Sequence, residues 1–274
     1  MSDEEVNHGV LHGWRDTDYI GGTLPHEVRN PSGDWTPYAP PGEWQKNNYF
    51  DTFGCVSFSA LNSIEMQYKL FTGTERNFSD RFTVIMSGTI PGQGNWVFKV
   101  GDSLRKDGFV DEAEFPAPPE YNQATYFAPP SIEVINKAKL ILNDWEVKYE
   151  YLDSPEPSME RMLYELKHCP LWITTRTHAM VGTWVVSEQG LRKLFDSYEP
   201  FFKDRTEPFF SVWKLVLNPK INTMTEKEVY RLQLLEGYKD PVGVAYWTGK
   251  PLSSYLQSRL EDQKKDIDKE LTPQ

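Results

Sequence analysis

The chain has 274 residues, a net charge of −11 and 39% hydrophobic residues, enough length and apolar content for one well-cored domain with an appendage. Aromatic residues make up 14% of it, which excludes the disordered class. The acidic balance excludes a nucleic-acid partner or an anionic membrane surface as the expected target, and no apolar run approaches the ~18 residues a membrane span needs.

Met1–Val6 is acidic and lacks the apolar stretch of a signal peptide, so a cytoplasmic or virion-associated protein is expected. Residues 1–44 predict an irregular N-terminal arm, because Pro25, Pro31, Pro37, Pro40 and Pro41 exclude long helices. Its Trp14, Tyr19, Trp35 and Tyr38 suggest an arm that wraps the domain surface. His8 and His12 stand four apart in it, but the five histidines and two cysteines form no paired ligand motif. No metal and no cofactor are expected.

Asp51-Thr-Phe-Gly-Cys55 reads as a glycine turn delivering a thiol to a helix over Val56–Phe71, with Val56, Ala60, Leu61 and Ile64 on one apolar face. The positive end of the helix dipole favours thiolate there, which prepares a nucleophile. Asn95–Lys106 predicts a second helix ending at Asp107-Gly108, and Ser131 caps a third running to about Asn143. Trp145–Leu152 reads as a strand, and Ser158 caps a helix over Met159–Lys167. Leu171–Thr175, Ala179–Val186 and Leu191–Phe195 read as strands, with the turn Glu188-Gln-Gly190 between the last two and a final strand over Ser211–Leu217. His178 precedes one strand and Asp196 ends the next, so a base and its orienting acceptor can be neighbours. Beyond residue 218 the pattern turns helical: Thr225–Glu236, an aromatic helix entered at Tyr238–Trp247, and Leu252–Glu270. The pattern divides the chain into the arm, a domain over 45–218 and a helical appendage over 219–274.

Cys-x-x-Phe-Ser-Ala-x-x-x-Ile-Glu (Cys55 to Glu65), His178-Ala179 and Asp196-Ser197-Tyr198 together resemble the papain-like cysteine peptidases. Leu24-Pro25, Phe78-Ser79-Asp80, Gly92–Trp96, Gly108-Phe-Val and Phe115-Pro116 agree in order with further pieces of that family. The resemblance spans roughly residues 24–215. It implies an α+β fold, a helical half with the nucleophile helix packed on an antiparallel sheet half, with the groove between them. It also implies the roles: Cys55 attacks a peptide carbonyl, His178 moves the proton, and Asp196 orients His178 where the family has an amide. Tyr198 shields that pair, and Gly94, Asn95 and Trp96 line the substrate groove.

Two departures stand out. The family's oxyanion-hole glutamine falls at Tyr49, six residues before Cys55, and a phenol offers no amide N–H. Gln45 fits the role if the loop is about four residues longer, with Asn47 and Asn48 as alternatives. The arm also lacks the helical pattern of the family's prosegment, so control by cleavage of a large one is not expected. A lone cysteine at a helix head is commonly a buried hydrophobe, and a lone strand histidine a core residue; the weight rests on the constellation. The expected function is hydrolysis of a peptide or protein substrate through a Cys–His–Asp triad. The alternatives are a non-catalytic papain-fold assembly protein, such as a phage virion component, and a peptidoglycan-cleaving thiol hydrolase. An assembly partner would bind through the C-terminal appendage, whose Asp240, Gly243, Tyr246 and Trp247 resemble short repeats of surface and phage proteins.

Overall fold

The computed structural model describes residues 7–13, 27–153 and 155–220. The expected C-terminal helices, together with Trp14, Tyr19 and Leu24-Pro25, lie outside the described residues. In chain order the elements are β1 (Val10–Leu11), α1 (Cys55–Thr72), α2 (Asp80–Met86), β2 (Asn95–Trp96), α3 (Val97–Asp107), α4 (Gln123–Tyr126) and α5 (Ile132–Asp144). There follow β3 (Trp145–Asp153), α6 (Met159–Leu166), β4 (Leu171–Thr174), β5 (Ala179–Val186), β6 (Leu191–Phe195), β7 (Phe202–Arg205) and β8 (Ser211–Pro219). Six strands form one antiparallel sheet in the order β3-β8-β4-β5-β6-β7, and β1 pairs in parallel with β2 outside it. The result is the expected α+β arrangement.

Strand alternation divides the core between the two faces of the sheet. On β4, Trp172 joins the cluster beneath α1, while Leu171 and Ile173 point to a second cluster with Met162, Leu166 and Phe195. All four β4 residues are buried, as a central strand covered on both sides requires. Helix α1 packs on β4, β5 and β8. It was expected to be amphipathic; instead every residue from Cys55 to Gln67 is buried. Its polar side chains are therefore matched to specific partners. Gln67 donates to Leu215 O at 2.8 Å and accepts from Leu217 N at 3.0 Å, tying the helix to β8. Ser59 accepts the Trp172 indole N–H at 2.9 Å.

Asn95–Trp96 is a strand rather than a helix start. The Asn95 side chain accepts its neighbour's N–H at 2.8 Å and donates to Ser87 and Thr89, a local bonding pattern that competes with helix. The arm also departs from expectation. Trp35 does not wrap the surface; it is fully buried and donates its indole N–H to Leu166 O at 2.6 Å. Of residues 8–11, Gly9 and Val10 are buried and His8 and Leu11 half-buried, and the segment lies against the turn between β4 and β5.

A group of carboxyls gathers beside α1: Glu65 on that helix, Asp80 at the start of α2, and Glu112. Burial, and then the Glu43 charge, push Asp80 well above the carboxylate range, and its Oδ1 has no hydrogen-bond partner. Glu65 rises for the same causes while accepting Phe78 N at 2.7 Å, and burial pushes Glu112 to about 7. A carboxyl raised in the folded state binds its proton more tightly folded than unfolded. Glu112 therefore adds stability that is full below its unfolded value of 4.5 and is lost as pH rises through about 7. Glu112→Gln should flatten the dependence of Tm on pH across that window, relative to the parent chain. An unchanged slope in a thermal-melt series would remove Glu112 from this account.

Candidate active site

The turn before α1 is strained where it meets the nucleophile position. Phe53 adopts φ 54°, an unusual conformation for a side chain of its size, and Asp51 stabilises it by accepting Phe53 N at 2.8 Å. Cys55 then begins α1, and His178 immediately precedes β5. His178 Nε2 meets Asp196 Oδ1 at 2.6 Å, and Lys203 Nζ reaches the other Asp196 oxygen at 2.5 Å. Burial works to raise the Asp196 carboxyl, but His178 and Lys203 outweigh it and hold the group below its ordinary value. With Nε2 so engaged, the imidazole offers Nδ1 for proton transfer. That atom is buried and makes no hydrogen bond.

In this conformation His178 Nδ1 makes no hydrogen bond with Cys55, so the close contact expected of the pair is not formed. Cys55 has no exposed surface, and desolvation pushes its thiol well above the ordinary value. The Asp196 and Asp51 charges raise it further, while the Ala179 and Val56 backbone N–H groups oppose them. Loss of water outweighs the helix dipole, which was the basis of the thiolate expectation.

The covering comes from the arm. His8 N donates to Thr177 O at 2.8 Å, and Gln45 Nε2 donates to His8 O at 3.1 Å. Asn95 N donates to Gly9 O at 2.9 Å, and Val10–Leu11 pairs with Asn95–Trp96. Val10 is buried in the same cluster as Cys55 and Ala179. The His8 ring sits 5.1 Å from that of His178 and 4.9 Å from that of Tyr198. Gly9 is required here: at φ 113°, a Cβ on it would lie 2.1 Å from Phe53 O. Gly94 fits equally tightly, since its Cβ would meet Gly9 O at 2.0 Å. These residues form a strap lying on Gly94, Asn95 and Trp96, the positions expected to line the groove.

Gln45 lies at the site, and the longer loop has a simple construction. Lys46 bridges Asp51, and Asn47 Oδ1 accepts Tyr49 N and Phe50 N, closing a compact turn. Asn47 Nδ2 is engaged with Tyr121 O, and Asn48 and Tyr49 are exposed, so neither alternative nor Tyr49 occupies the donor position. The Gln45 amide is held at both ends: Ser197 donates to its Oε1 at 2.8 Å, and its Nε2 donates to Asp51 at 3.0 Å. Tyr198 stands 5.4 Å from the His178 ring and donates its O–H to Asp51. Its proton being committed, the phenol oxygen accepts from His8 Nδ1 at 3.2 Å. Asp51, Ser197, Lys203 and the strap residue His8 were not read from the sequence as site residues. Their roles depend on loop closure and strand pairing, which no local pattern announces.

Both cysteines are free, and among the described residues no cluster of His, Cys, Asp and Glu fits a metal ion. No helix among those residues is long and apolar enough to cross a membrane.

No protein-family model matches the chain, and no curated protein does. Solved structures do. A digestive procathepsin L2 proteinase from the larval midgut of Tenebrio molitor is 16% identical, with a TM-score of 0.55 over 78% of each chain. Procathepsin L 3 of the same organism is 14% identical, with a TM-score of 0.52 over 77% of this chain and 76% of that one. Bromelain protease from Ananas comosus, solved with the E64 inhibitor, is 14% identical, with a TM-score of 0.50 over 71% of this chain and all of that one. The fold is papain-like.

Proposed function

We propose that this chain is a papain-like cysteine peptidase held in a closed state by residues 8–11. One observation carries the reading: the site already grips a peptide backbone. The N–H of His8 is donated to Thr177 O, while its carbonyl accepts the Gln45 amide. A substrate held the same way would present its carbonyl carbon to Cys55.

His178 Nδ1 takes the Cys55 proton, and the thiolate attacks that carbon. The oxyanion accepts from Gln45 Nε2 and the Cys55 backbone N–H. The imidazolium, stabilised by Asp196, returns its proton to the leaving amine as the C–N bond breaks. Water, deprotonated by His178, then hydrolyses the thioester and restores Cys55. The raised thiol belongs to the closed state; removing the strap readmits water and lowers the desolvation cost.

A second reading has an observation in its favour. Cys55 is wholly buried and bonds no imidazole, as in a chain whose strap never leaves and whose groove serves only to bind. A peptidyl epoxide separates the two. In a chain with the strap displaced by Gly9→Val, mass spectrometry should find the adduct on Cys55 and not on Cys169, and His178→Ala should suppress it. Absence of any Cys55 adduct, with the strap displaced and the fold retained, would favour the binding reading.

A further inference from the structure

We propose that Asp51 is a positioning residue that aims the oxyanion donor; the inference rests on the peptidase reading above and adds a residue to its machinery. Two side chains and a backbone N–H converge on this one carboxylate. Oδ1 accepts from Gln45 Nε2 at 3.0 Å and from Phe53 N at 2.8 Å, and Oδ2 accepts the Tyr198 hydroxyl. A primary amide has two N–H groups. With one anchored on Asp51, the other points at His8 O, where a reacting carbonyl would lie. Ser197 fixes the opposite end of the amide, so the group cannot flip or swing out.

This arrangement has an electrostatic cost. A carboxylate one hydrogen bond from the oxyanion donor repels negative charge on both the thiol and the tetrahedral oxygen, and its field already raises the Cys55 thiol. Its retention makes sense if geometry is what it supplies. An amide at the same position can accept from Gln45 without carrying the charge, so the two contributions are separable.

The test uses the full-length Gly9→Val chain, with Asp51→Ala and Asp51→Asn added. Asp51→Ala should lower kcat by about 10²-fold, within the range of losing an oxyanion donor, with KM little changed. Asp51→Asn should recover at least about tenfold of that loss, and should move the pH profile of Cys55 alkylation downward. A purely structural role would not shift that profile. The Gln45 side-chain amide resonances, assigned by their loss in Gln45→Ala, give a readout independent of turnover. They should keep their slow exchange with water in Asp51→Asn and lose it in Asp51→Ala. If no chain turns over any peptide, the peptidase reading falls and the amide resonances still decide the role of Asp51. Unaltered Gln45 resonances in Asp51→Ala, or an asparagine variant as poor as the alanine one, would overturn the proposal.

Discussion

Gly9→Val should raise the rate at which iodoacetamide modifies Cys55 by about 10²-fold, equivalent to about 2.7 kcal/mol at ~1.36 kcal/mol per tenfold. A buried thiol reacts only through conformations in which its cover has opened, so the rate reports the free energy of opening. The cover is held by hydrogen bonds at His8 N, His8 O, His8 Nδ1 and Gly9 O, by the pairing of Val10–Leu11 with Asn95–Trp96, and by burial of Val10. Such bonds contribute about 1 kcal/mol each, and a buried valine about 1.5–3 kcal/mol. A valine side chain at position 9 cannot coexist with Phe53 O at 2.1 Å. Neither partner can yield cheaply, since the clash is with backbone and Phe53 is already at φ 54°. Cys169 is the internal reference, being buried and raised to about 11. If both cysteines accelerate together, the variant has loosened the domain rather than the strap. If neither does while the circular dichroism is unchanged, the strap does not gate Cys55.

Much of this site was legible in the sequence because its signals are local. Ser131 and Ser158 cap the helices that follow them, and β5 and β6 span the predicted residues. The Cys55–Glu65 pattern, His178-Ala179 and Asp196-Ser197-Tyr198 placed three side chains that the fold brings to one end of the sheet. Where the reading failed, the deciding interaction was not local. The arm's prolines argued against long helices, and its described residues hold only the short helical turn Thr36–Tyr38; but an extended segment can lie on a surface or in a groove, and composition does not choose between them. The choice is made by the mutual fit of Gly9 and Gly94, far apart in sequence. The thiolate expectation failed for a related reason. A helix terminus is visible in the sequence, whereas the solvent excluded from it by a distant segment is not.

Gln45→Ala in the Gly9→Val chain should lower kcat toward a peptide substrate by about 10²–10³-fold, the usual result of removing one oxyanion-hole donor. The argument is geometric. Its Nε2 sits 3.1 Å from a peptide carbonyl already in the site, and Ser197 and Asp51 hold it there before any charge develops. A preorganised donor of this kind costs no reorganisation when the carbonyl becomes an oxyanion, so its loss falls on the transition state more than on substrate binding. Alkylation of Cys55 by iodoacetamide forms no tetrahedral oxyanion and should change little in the same variant. With glycine retained at position 9 alkylation does respond: Gln45→Ala removes one of the strap's hydrogen bonds and should speed labelling of Cys55. One substitution thus slows turnover in the open chain and hastens modification in the closed one. A role confined to packing would speed labelling in the closed chain and leave kcat of the open one little changed. A kcat unchanged by Gln45→Ala in an active open chain would leave the Cys55 backbone N–H as the donor that remains, and would remove Gln45 from the chemistry.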